Sequence, residues 1–83
     1  MKENYIIAEF RQTAAKRFPA QAETLNAALD RRLDELRREH SGDTKEKKEH
    51  LESQILPGIA AYEVLQTVMP KEEARQTVHD YVE

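Results

Sequence analysis

Apolar residues recur at helical spacing along most of this 83-residue chain. From about Asn4 to Arg17, Ile6, Phe10 and Ala14 fall four apart with Ile7 beside them. That spacing predicts a helix with one buried face. Pro19 disfavours helical backbone at Phe18 and suits the first position of a helix, so the chain is expected to break at Phe18 and begin a second helix at Pro19. Ala22, Leu25, Leu29, Leu33 and Leu36 continue as a stripe to about Glu39. A strict heptad would put Arg32 in the seam, which favours a globular bundle over a coiled coil. The pattern stops at His40-Ser41-Gly42. Gly42 is expected to take the left-handed conformation, and Asp43 with Glu46 to form a capping box for the next helix.

The third pattern differs from the others. Between Ile55 and Met69 apolar residues stand on every side, as in a helix surrounded by neighbours. Pro57 and Gly58 interrupt it: Pro57 has no N–H to donate to Ser53 and presses on that carbonyl, which predicts a kink. A last helix opens at Pro70-Lys71-Glu72-Glu73, with proline and acids in its first turn, and presents Ala74, Val78, Tyr81 and Val82. The expectation is therefore all-α: a single helical domain over residues 1–83, a small bundle of about four helices with the third kinked at Pro57-Gly58.

Composition supports this and narrows the partners. Two glycines and three prolines leave few turns for a multistranded sheet. The hydrophobic fraction of 39% against 35% charged residues lies in the globular range. A net charge of −3 with the two signs mixed along the chain builds no field for nucleic acid or an anionic membrane. Without cysteine, disulfides, thiolate metal sites and a cysteine nucleophile are excluded within these residues. No run approaches the roughly 20 apolar residues that span a bilayer, and the start does not read as a signal peptide, so a cytoplasmic location is expected.

A chain this short buries only roughly 60 to 65% of its unfolded surface. Three neighbours can hardly cover an all-apolar third helix, so self-association as a homo-oligomer, or a missing carboxy-terminal region, is expected. Leu56, Ala60, Val64 and Val68 are the expected contact face. Ile55, Ile59 and Tyr62 are expected to point into the chain's own core.

Candidate chemistry is sparse. Arg31, Arg32, Arg37 and Arg38 are balanced by Asp30, Asp34, Glu35 and Glu39, with Arg31–Glu35 and Asp34–Arg38 at i, i+4, which marks a solvated face. Metal is not expected: Arg37, Lys47 and Gln76 stand three before His40, His50 and His79, where a Glu-x-x-His site needs glutamate. No cofactor is implied. Glu46, His50 and Ser53 share a helical face, but no oxyanion donor accompanies them. Pro57, Gly58, Tyr62 and Glu63 form the candidate pocket: a freed carbonyl and bare backbone, then a phenol and a carboxylate beside Ile59.

The stretch His50-Leu51-Glu52-Ser53-Gln54-Ile55-Leu56-Pro57-Gly58-Ile59-Ala60-Ala61-Tyr62-Glu63-Val64-Leu65, followed by Lys71-Glu72-Glu73-Ala74, resembles the L-2-amino-thiazoline-4-carboxylic acid hydrolase family. The likeness lies in an Ile-Leu-Pro-Gly-Ile-Ala-x-Tyr-x-x-Leu run ahead of a Lys-Glu-Glu-Ala helix start. It implies the amino-terminal helical part of a longer, bacterial-type hydrolase that opens a cyclic amidine ring at a non-peptide C–N bond, and a small-molecule substrate. It assigns no catalytic residue here, and the chain is expected to be catalytically incomplete alone. The alternative is a non-enzymatic helical interaction protein that self-associates through its third helix.

Overall fold

Asn4 starts the first helix by accepting, at its Oδ1, the backbone N–H groups of Ile6 (2.8 Å) and Ile7 (3.4 Å), two of the donors that a helix start leaves unpaired. The computed structural model describes residues 4–82. Helix α1 (Tyr5–Arg17) buries Ile6, Ile7, Phe10 and Ala14. It ends at Phe18, whose backbone (φ −133°, ψ 55°) leaves the helix immediately before Pro19. Helix α2 (Ala22–Glu39) begins three residues later than expected, because Pro19 sits in a turn closed by the Gln21 N–H on Phe18 O (3.0 Å).

Leu25, Leu29, Leu33 and Leu36 make the buried face of α2. Its end also departs from expectation. No glycine here has positive φ. The last carbonyls are instead taken by a tightened turn, with the His40 N–H on Leu36 O and Arg37 O and the Ser41 N–H on Arg38 O, each 3.2 Å. Asp43 does not cap the next helix, since its Oδ2 lies 3.0 Å from His40 Nδ1. Thr44 is the cap, with Oγ1 accepting the Lys47 N–H at 3.3 Å.

The third helix is continuous but built of three parts: α3 (Lys45–His50), a π-helical turn (Leu51–Ile55) and α4 (Leu56–Leu65). It bends by 39° at residues 54–55. The bend falls less than a turn before Pro57, where the missing N–H and the ring's pressure on residue 53 act. The ladder slips by one residue, so that the Leu56 N–H reaches Leu51 O rather than Glu52 O. α4 stops at Leu65 rather than running on to Met69. The Val68 and Met69 N–H groups both return to Leu65 O at 3.0 Å, which tucks Met69 into the core beside the connection to α5 (Lys71–Val82).

Among the described residues there are four helices and no strand, and no helix is long and apolar enough to cross a membrane. α4 packs on α1, α2 and α5, and this settles which way it faces. Leu56 is 2% exposed and Val64 6%, Ala60 is fully buried, and Val68 is packed against the same core. The four residues expected at a contact between chains therefore line this chain's own core. Of the three residues expected inside, Ile55 and Ile59 are 38% and 39% exposed, whereas Tyr62 packs partly against the core. An evenly apolar helix carries no directional signal of its own, so only the neighbours' positions decide which stripe turns inward.

Candidate functional site

With α1, α2 and α5 around it, α4 keeps one uncovered face. Ile55, just ahead of α4, and then Ile59 and Glu63 follow one another on it at spacings of four, with Tyr62 at its edge and packed partly against the core. Ile55 and Ile59 are exposed and Tyr62 is half-buried.

The four candidate pocket residues are distributed around this strip rather than gathered in one hollow. Pro57 is fully buried behind it. Gly58 lies under α5, where a Cβ built on it would meet Val78 Cγ1 at 3.9 Å. Tyr62 borders the apolar strip, and its carbonyl accepts the Gln66 side-chain amide at 3.4 Å. Glu63 turns toward α2. There Arg32 meets it in a two-pronged pair, through Nε on one carboxylate oxygen and Nη2 on the other (3.4 Å), while Nη1 binds Glu35 at 3.0 Å. The two carboxylates, Glu63 foremost, push the Arg32 guanidinium up from its ordinary value, so it stays a fixed cation.

The carbonyl freed by Pro57 does not face this strip. Ser53 O accepts Asn4 Nδ2 at 2.8 Å, and Glu52 O, which lost its helical donor when the ladder slipped, accepts the same amide at 3.3 Å. Asn4 thus caps one helix with its oxygen and closes the break in another with its nitrogen. Spacing alone does not announce this contact between residues nearly fifty positions apart. The signal available was an asparagine ahead of the first apolar repeat.

The other candidates take their own places. Ser53 Oγ donates to His50 O at 2.8 Å, and Glu46, His50 and Ser53 are all exposed, so no nucleophile is aligned with a base. Within α2 the charge pairs stand at i, i+3, Arg32 with Glu35 and Arg37 with Asp34 (3.9 Å). Arg37 also reaches the third helix, with Nε on Glu52 Oε1 at 2.8 Å, and that carboxylate raises its pKa. Among the described residues no three His, Cys, Asp or Glu side chains converge as metal ligands.

A groove of about 250 Å³ lies apart from the strip, between the end of α2 and the start of the third helix. Leu51 and Leu56 form its floor, and Arg37, His40, Ser41, Lys48 and Glu52 its rim. No family model, curated protein or solved structure matches the chain.

Proposed function

We propose that this chain is a helical module of a hydrolase-like protein of the L-2-amino-thiazoline-4-carboxylic acid hydrolase family, contributing a binding wall and not the full set of reacting groups. One observation carries it: the stretch that bears the resemblance forms the bent central helix, whose uncovered face ends in an apolar strip beside a fixed Arg32–Glu63 pair. A ring with a cyclic amidine and a carboxylate suits such a surface. Its flat body rests on Ile59 and Tyr62, its amidine N–H groups donate to Glu63, and its carboxylate accepts from Arg32. Binding of this kind replaces one ion pair by two charge-assisted contacts. Titration of the isotope-labelled chain with L-2-amino-thiazoline-4-carboxylate tests this, with saturable shifts expected at Ile59, Tyr62 and Glu63 and no ring opening. Flat shifts at millimolar ligand, or turnover by these residues alone, would overturn the reading.

A second reading has its own observation. Ile55, Ile59, Tyr5 and Val82 are large apolar side chains, each more than a third exposed. Four partly covered side chains fall well short of the roughly 800 Å² per partner that a stable complex buries. A weak homodimer through the Ile55–Ile59 face is therefore the form this alternative takes, and sedimentation equilibrium tests it.

A further inference from the structure

We infer that the groove between the end of α2 and the third helix is a binding site for a small amphipathic carboxylate. Its floor is apolar, made of Leu51 and the buried Leu56. Its rim is unevenly charged. Arg37 is held by Glu52 across the groove at 2.8 Å, so these two cancel locally. Lys48 stands on the rim with its ammonium in no ion pair or hydrogen bond among the described residues. His40 turns its Nδ1 to the Asp43 carboxylate at 3.0 Å, so that pair too is closed on itself. One uncompensated cation above an apolar floor selects a ligand with one negative charge and a short apolar body.

The helix end beside the groove would ordinarily oppose an anion, because the last carbonyls of a helix carry partial negative charge. Here Leu36 O, Arg37 O and Arg38 O already accept the N–H groups of His40 and Ser41. That opposing field is weakened where the anion would sit. A volume near 250 Å³ lies just below the roughly 300 to 1,000 Å³ of sites for drug-sized ligands, so the occupant is small. This site shares no residue with the Ile59–Tyr62–Glu63 strip and stands whether or not the family reading does.

Octanoate is the probe, and octylamine, with the same tail and the opposite charge, is its control. Titrated into the labelled chain, octanoate is expected to give saturable amide shifts at Lys48, Leu51 and Glu52. Lys48→Glu, on an exposed helical position that leaves the core untouched, is expected to weaken octanoate about fivefold, the scale of one exposed charge contact. Leu51→Ala is expected to weaken octanoate as well, through the floor. Absence of saturable shifts with octanoate, equal binding of octylamine, or octanoate binding unchanged in Lys48→Glu would each overturn the assignment.

Discussion

Asn4 Nδ2 donates to Ser53 O at 2.8 Å, joining the first residue before α1 to the carbonyl that Pro57 leaves without its helical donor. The proline break and the cap are parts of one device. A lone helix would expose its two freed carbonyls to water, whereas here Glu52 O and Ser53 O share one amide. The bend is thereby fixed to the start of the chain's first helix.

Asn4→Ala is expected to cost about 2 kcal/mol, roughly 1 from the lost cap and about 1 net from the hydrogen bonds to the third helix. Asn4→Asp separates the two roles. It keeps the oxygen that caps Ile6 and Ile7 but brings no donor to Ser53 and Glu52, so it is expected to lose about 1 kcal/mol. Urea denaturation of the three proteins measures this, with equal slopes. An aspartate variant as stable as the parent would show that the amide contact contributes nothing.

Gly58→Ala is expected to stabilise the chain by about 0.5 to 1 kcal/mol, because a glycine inside a helix carries that entropic cost. The added Cβ would meet Val78 at an ordinary contact distance of 3.9 Å, and the backbone there has no positive φ. A lowered thermal midpoint would show that the bare backbone at Gly58 serves something other than fit.

Ile59→Glu and Val64→Glu are expected to behave oppositely although they lie little more than a turn apart. Ile59 is exposed, so its variant folds normally, and any self-association of the parent is lost in sedimentation equilibrium. Val64 is 6% exposed in the core, and a buried carboxylate there costs several kcal/mol, enough to unfold a domain this small. Circular dichroism separates the two outcomes, and a folded Val64→Glu would contradict the orientation of α4.

Tyr81 gives the chain an alkaline limit. Burial pushes its phenol above the ordinary 10.0, and its hydroxyl meets Thr13 across to α1. The folded state therefore holds the proton more tightly than the unfolded one. The stability this contributes is fully present below pH 10 and is lost as pH rises through the raised folded value. Tyr81→Phe is expected to flatten that decline in urea midpoints measured from pH 8 to pH 11. An equally steep loss in the variant would place its origin elsewhere.

The helices were legible because α1 and α2 present clean stripes, and Phe10, Leu29 and Leu33 are buried where periodicity puts them. The bend was legible too, since a proline inside an apolar helix has few structural outcomes. What escaped was the facing of α4: apolar on all sides, it takes its orientation from contacts with three other helices. Gly42 and Asp43 misled for a different reason. Their residue types fit a left-handed end and a capping box, but His40 captured the aspartate and Thr44, one residue on, took the cap. At the candidate site, Tyr62 and Glu63 could be seen to share a helix face with Ile59. That Arg32 would clamp Glu63 from α2, and that Asn4 would occupy the freed carbonyl, are long-range pairings that no local spacing encodes.

The most direct measurement of the proposed role is the amide spectrum of the labelled chain titrated with L-2-amino-thiazoline-4-carboxylate, beside the same titration of Glu63→Gln. Saturable shifts confined to Ile59, Tyr62, Glu63 and the neighbouring Arg32 are expected, weakened roughly tenfold in the variant by loss of a charge-assisted contact. Shifts that are absent at millimolar ligand, or identical in parent and variant, would contradict that role.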